Sequence, residues 1–305
     1  MKEFEYNKDD NRYTCCINEE LGGIEITGFR GNGARIELPE RISYEGTDWE
    51  VRGIGKKAFL GCQTVRSVVL PGTVRRMDDW AFSQCRQLEG VKILGGGEEL
   101  QISLGTGVFA DCPGIRYVAA GGEESDDLAV LLAATVNQLP SEDLLRDAEP
   151  GGEHWYQKWD QRLQTFLNED DEEGYTSMVL CGEEDIKRNV PEYAADKRRR
   201  KAWLCMLRLM HDSLLPQELK QVYTDYLLTH TKGSETEEAW EVIVLEHGED
   251  MACYQLLADI GGIHADNIDA MVQDLDAAHA EAKAFLIRYK QEHFAVNDIF
   301  GQFSL

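Results

Sequence analysis

The chain has 305 residues, with 31 Lys plus Arg against 56 Asp plus Glu, and a formal net charge of −25. An anionic excess of that size excludes non-specific binding to nucleic acid or to an anionic membrane surface, because phosphate-driven affinity needs clustered Lys and Arg. Seven Pro and 28 Gly exclude collagen-like and Pro-rich disordered classes, and 43% apolar content provides for one to three packed domains.

No apolar segment of signal-peptide type follows Lys2, and no apolar run is long enough to span a bilayer. The expectation is a cytoplasmic protein with reduced cysteines. Tyr13-Thr14-Cys15-Cys16-Ile17 and Gly23-Ile24-Glu25-Ile26-Thr27 alternate with period two around Asn18 to Gly22, the pattern of a β-hairpin.

From Val51 onward the sequence repeats. One block reads Val51-x-x-Ile54-x-x-x-Ala58-Phe59-x-x-Cys62-x-x-Val65-x-x-Val68-x-Leu70-Pro71. Shifted by 23 residues it reads Val74-x-x-Met77-x-x-x-Ala81-Phe82-x-x-Cys85-x-x-Leu88-x-x-Val91-x-Ile93. A third copy follows 27 residues later through Leu104, Val108-Phe109, Cys112, Ile115, Val118 and Ala120, the extra length falling around Gly95-Gly96-Gly97-Glu98. A period in the low twenties is one coil of a leucine-rich-repeat solenoid. Such coils bury their apolar faces only by stacking, which places Phe59, Phe82 and Phe109 in one ladder and Cys62, Cys85 and Cys112 in another. A solenoid also needs its open end covered, and the hairpin, together with Asp48-Trp49-Glu50, is the expected N-terminal cap.

Ile54-Gly55-x-x-Ala58-Phe59-x-x-Cys62 with Val65-x-x-Val68-x-Leu70-Pro71, and Ala81-Phe82-x-x-Cys85 with its strand, resemble the BspA-type leucine-rich repeats of bacteria over roughly residues 36–120. The resemblance implies a protein-interaction module. Many such proteins sit on cell surfaces; three to four coils without a signal peptide point away from that setting.

A shift in composition divides the chain after Gly122. Residues 1–122 hold 15 basic and 18 acidic side chains, net −3, whereas 123–305 hold 16 and 38, net −22. Periodicity changes there from short alternations to helical spacing. Helices are expected at Asp126–Gln138, His154–Leu167, Pro191–His211, Pro216–His230, Thr236–His247, Met251–Ile260, Asn267–Leu275 and Ala278–His293. Over roughly 235–293 the pattern resembles degenerate ankyrin-type helix pairs. The fold class expected is therefore α+β in two domains. Residues 1–122 form a short right-handed leucine-rich-repeat solenoid, with its cap in 1–50 and coils from about 51 to 122; residues 123–305 form an all-α helical-repeat domain.

Tests for chemistry come out negative. Setting Gly174 as the sixth position of a calcium loop puts Leu180 where the bidentate carboxylate belongs. No His-Glu-x-x-His, Cys-x-x-Cys or Gly-x-Ser-x-Gly motif occurs, and Gly53-Ile54-Gly55-Lys56 lacks the rest of a phosphate loop. No cofactor or metal is expected.

The sequence offers two candidate binding surfaces. Residues between the inward positions of each strand should face solvent: Arg66, Ser67 and Val69; Glu89, Gly90 and Lys92; Arg116, Tyr117 and Ala119. Of these Arg66, Val69, Glu89, Lys92, Arg116 and Tyr117 are the candidate protein-binding residues, with a charge ladder across the strands as the plainer reading of Arg66, Glu89 and Arg116. The second is the run Lys197-Arg198-Arg199-Arg200-Lys201, either a docking segment for an acidic partner or a set of charges paired within the domain with acids such as Glu192 and Asp196. The function expected is a bacterial, non-enzymatic scaffold that binds an unidentified protein. An enzyme with a His/carboxylate site in the helical domain, and a sensor that captures a basic segment, are the alternatives.

Overall fold

A computed structural model describes residues 2–94, 102–120, 127–139, 151–176 and 189–294. The Gly95–Glu98 insertion, Gly121 to Asp126 of the linker, Leu180 and Cys181 lie outside the described residues. The chain divides into two compact units, Met1–Thr165 and Phe166–Leu305.

The first unit opens with β1 (Glu3–Lys8), β2 (Asn11–Asn18) and β3 (Gly23–Arg30), an antiparallel meander in which β2 and β3 form the expected hairpin. Then come β4 (Arg35–Glu37), β5 (Arg41–Tyr44) and β6 (Thr47–Ile54), β7 (Ser67–Leu70), β8 (Arg76–Met77), β9 (Gly90–Ile93), β10 (Ser103–Leu104) and β11 (Tyr117–Ala120). These fall into two sheets. One runs β1-β2-β3-β6-β8-β10 with β5 paired to β6; the other runs β11-β9-β7-β4, all parallel. Each coil contributes one short strand to each sheet. A third line of backbone bonds, such as Phe59 N–H to Ala81 O and Phe82 N–H to Val108 O, both 2.8 Å, joins the coils along their remaining side.

The hairpin acts as the cap. Strand β3 pairs in parallel with β6 and so continues the first sheet beyond the coils. Phe59 lies 4.7 Å from Phe82, and Phe82 5.7 Å from Phe109. The cap extends this ladder through Phe29, 5.0 Å from Phe59, to Tyr13, 5.4 Å from Phe29. Ile36, Val68, Val91 and Val118 share one register row and are all buried.

Each coil also turns twice through the left-handed region, at Lys57, Trp80 and Gly107 and again at Gly61, Gln84 and Asp111. Glycine is the unstrained choice at such sites; the chain uses it at only one of three positions in each set.

Among the described residues two helices follow the coils, α1 (Asp127–Asn137) and α2 (Glu153–Asn168). Helix α1 packs against β11 and belongs to the first unit, so the compact unit extends past the compositional break at Gly122. The last coil has an apolar end like the first, and Leu131, Leu132 and Ala133 of α1 are buried where such an end needs cover. Trp159 Nε1 donates to Thr135 Oγ1 at 3.1 Å, tying α2 to α1.

The second unit contains α3 (Val190–Met210), α4 (Gln217–Thr229), α5 (Glu238–Glu246), α6 (Met251–Asp259), α7 (Ile268–Asp274) and α8 (Ala280–His293), with a 3-10 turn at Ala277–His279. Asn189 and Glu192 form a reciprocal capping box at the start of α3, with Pro191 in the first turn. Helix α3 is a hub packed by α4, α5 and α6, while α8 packs on α7 and α6. Trp203 and Trp240 are buried as core.

Candidate functional site

The parallel sheet β4-β7-β9-β11 carries the candidate surface. Its outward positions form two rows, Arg35-Ser67-Gly90-Tyr117 and Glu37-Val69-Lys92-Ala119. One residue ahead of β7, β9 and β11 stand Arg66, Glu89 and Arg116, all exposed. Their backbones form a continuous ladder: Glu89 N–H donates to Arg66 O, and Arg116 N–H to Glu89 O, each at 2.7 Å. Arg66 Nη1 meets Glu89 Oε1 at 3.1 Å. Arg66 and Glu89 thus form an exposed cross-strand pair, and pairs of this kind contribute about 0–1 kcal/mol.

Three of the outward residues, Gly90, Val69 and Ala119, do not face solvent. Val69 is 7% exposed and Ala119 1%. Val69 lies in register between Glu37 and Lys92, long side chains whose stems can cover a branched residue between them. Ala119 sits on β11, the strand against which α1 packs. Val69 is therefore removed from the list of accessible candidates. Tyr117 gains a role that spacing does not show: its ring lies across Gly90, where an added Cβ would fall 2.1 Å from the ring carbon Cζ. The exposed surface comprises Arg66, Glu89 and Arg116, with Ser67, Lys92 and Tyr117 partly exposed.

The basic run 197–201 is not an exposed docking strip. Lys197 and Lys201 are buried at 4% and 2% exposure. Lys197 donates to Asp170 O at 2.7 Å and Glu173 O at 3.2 Å; Lys201 donates to Glu169 O at 2.6 Å and Asp171 Oδ1 at 2.7 Å. Arg198 bridges Asp171 and Glu238, Arg199 bridges Asp196 and Glu241, and Arg200 lies over the Phe166 ring at 4.7 Å. The acidic stretch 169–173 is a clamp on two ammonium groups. Pairing with Asp196 is as expected, whereas Glu192 serves the capping box. Burial disfavours a charged Asp171, but hydrogen bonds from Lys201 and Arg198 outweigh it and hold the carboxyl below its ordinary range.

Sequence reasoning missed a cleft of about 630 Å³ on the other sheet, lined among others by Asn18, Glu25, Tyr44, Glu45, Arg76 and Asp78. Glu25 is buried; its Oε2 accepts from Asn18 Nδ2 at 2.6 Å, and its Oε1 lies 3.4 Å from Arg76 Nη2. Arg76 Nε lies 3.0 Å from Asp78 Oδ1. Burial and the hydrogen bond shared with Glu25 push the Asp78 carboxyl up, against the pull of Arg76. Glu25 and Asp78 are 53 positions apart and meet only because the cap strand β3 continues the sheet of β6 and β8, so no local motif announces them.

Among the described residues no group of three or more His, Cys, Asp and Glu is placed to hold a metal ion, and no helix is long and apolar enough to cross a membrane. Three of the histidines have separate settings: His230 stacks on Tyr226, His247 on Trp203, and His279 faces Asp276.

Comparison with known proteins agrees with the coils. Residues 40–122 match the family described as BspA type leucine rich repeat region, in six copies. No curated protein matches the chain. Among solved structures, a leucine rich cell surface protein from Faecalibacterium prausnitzii A2-165 is 23% identical, over 39% of this chain and 32% of that one, with a TM-score of 0.34. A leucine-rich repeat protein from Bacteroides capillosus ATCC 29799 is 25% identical, over 37% of this chain and 78% of that one, with a TM-score of 0.32. The likeness spans about a third of the first of these chains. The stacked coils with their Phe ladder lie in the same residues, 40–122, that are similar to the BspA type leucine rich repeat region.

Proposed function

We propose that this chain is a non-enzymatic protein-binding or scaffold module of a bacterial cytoplasm, and that the strand face of β7, β9 and β11 is its contact surface. The observation that supports this most is the exposed row Arg66-Glu89-Arg116 on a rigid, hydrogen-bonded ladder, with Tyr117 lying flat beside it. Arg and Tyr are residue types enriched where interfaces concentrate their energy. A surface held by backbone bonds loses little conformational entropy on binding. The near-neutral charge of residues 1–122 leaves this face free of strong repulsion by partners of either sign.

The test is partner capture from native cell extract, followed by affinity measurement with the purified partner. Arg66→Glu combined with Arg116→Glu should weaken binding at least about tenfold, a change of roughly 1.4 kcal/mol. Unchanged affinity in that variant would remove the strand face as the site.

A further inference from the structure

The cysteine ladder is the feature that a binding surface leaves unused. Cys62, Cys85 and Cys112 occupy the same position in three successive coils. Cys85 Sγ donates to Phe59 O, in the coil of Cys62, at 3.1 Å; Cys112 Sγ donates to Phe82 O, in the coil of Cys85, also at 3.1 Å. The backbone bonds flanking these residues, Gly61 N–H to Ser83 O at 2.8 Å and Gln84 N–H to Ala110 O at 2.7 Å, hold the coils at strand-pair spacing. That spacing is about 4.8 Å, within the range of about 4.4–6.8 Å between Cα atoms that a disulfide accepts. The Cys85 thiol also reaches the turn that holds Cys62: its acceptor, Phe59 O, accepts from Cys62 N–H at 3.3 Å as well. Cys85 and Cys112 are buried, while Cys62 is partly open to solvent.

We propose that Cys62 and Cys85 form an oxidation-responsive cross-link between adjacent coils, driven by a low-molecular-weight disulfide. The Cys62 thiolate attacks one sulfur of oxidised glutathione, giving a mixed disulfide and one reduced glutathione. The Cys85 thiolate then attacks Cys62 Sγ and expels the second glutathione. Two protein S–H bonds and one glutathione S–S bond are lost; one protein S–S bond and two glutathione S–H bonds are formed. The protein pair gives up two electrons and two protons, and glutathione disulfide takes them. Cys112 is buried and lies one coil beyond Cys85, so it does not make the first attack. Cys62 and Cys112 are two coils apart, beyond disulfide reach, so Cys85 is the obligatory partner.

The experiment exposes the native full-length chain to oxidised glutathione, then quenches, unfolds and alkylates it. The expected result is loss of two of the eight thiols and a tryptic cross-link joining Ala58–Arg66 to Met77–Arg86. Cys62→Ser should abolish the cross-link, Cys112→Ser should leave it, and Cys85→Ser should stop the reaction at a glutathione adduct on Cys62. Cys62 is only partly buried, so Cys62→Ser remains informative if Cys85→Ser does not fold. Retention of all eight thiols, a lasting Cys62 adduct in the wild type, or a link elsewhere would overturn the proposal.

Discussion

Replacing Phe82 with Ala should be among the costliest single truncations in the first unit. The ring is fully buried and has an aromatic neighbour on each face, Phe59 at 4.7 Å and Phe109 at 5.7 Å. A buried Phe→Ala change costs about 3–5 kcal/mol, and each ring pair is worth about 0.5–1.5 kcal/mol beyond burial. Two lost pairs put Phe82→Ala near the top of that range, about 5 kcal/mol. Phe109 shares one such contact among the described residues, so Phe109→Ala should cost less, about 3–4 kcal/mol by the same reasoning. Phe82→Leu keeps most of the apolar volume but loses both ring pairs, which predicts about 1–3 kcal/mol. Equilibrium urea unfolding of the full chain, followed by far-ultraviolet circular dichroism, measures all three. A Phe82→Ala cost below about 2 kcal/mol, or one no larger than that of Phe109→Ala, would refute the stacked-ladder account of the core.

Further outcomes follow from the backbone and the charges. Gly61 has φ +69, and no neighbouring atom lies within 4 Å of where a Cβ would sit, so Gly61→Ala should cost about 1 kcal/mol from backbone strain alone, whereas Gln84→Gly at the equivalent turn should be neutral or stabilising in the same urea assay. Asp171 has a depressed folded pKa; its stabilisation is present above its ordinary pKa and lost as pH falls through the folded value. Asp171→Asn should therefore destabilise at neutral pH and flatten the acid limb of the stability profile. Asp78 has a raised folded pKa, and its contribution runs the other way: stability is greatest below the ordinary pKa and declines as pH rises through the folded value. Asp78→Asn should then raise neutral stability, and a loss there would contradict the assigned burial cost. Lys201→Met removes a buried ammonium from the Glu169–Asp171 clamp, leaving carbonyl and carboxylate acceptors short of a donor; about 3–5 kcal/mol is expected, and a neutral result in thermal unfolding would show that the clamp is not structural.

The coils were legible because each reuses the same few apolar positions, and stacking makes those positions equivalent in space. Ala58-Phe59-x-x-Cys62 and its copies suffice to place the rings and thiols in ladders. The helices from Met251 to His293 were legible for a similar local reason, their apolar spacing. What the pattern could not show depends on partners far along the chain. The first strand, Glu3-Phe4-Glu5-Tyr6-Asn7-Lys8, has charged residues where a buried strand would have none, and it pairs only with β2 at the sheet edge. Val69 and Tyr117 both alternate outward by register. Yet one is covered by its neighbourhood and the other lies over Gly90, and neither outcome is visible in a period of two. Helical spacing identified Asp196 as a partner within the basic run, while the clamp at 169–173 lies some 24 to 32 positions before the lysines it holds.

The repeat domain is nearly neutral and the acidity lies in the helical part of the chain, where the one dense basic run is consumed internally. The strand face is thus the surface on which the account stands. Its most direct test is amide hydrogen exchange of the full chain alone and with its captured partner. The account predicts slowed exchange in peptides covering Ser67–Leu70, Gly90–Ile93 and Tyr117–Ala120, with the residues just ahead of each. Protection confined to the helices of 190–293, with those strands unchanged, would contradict it.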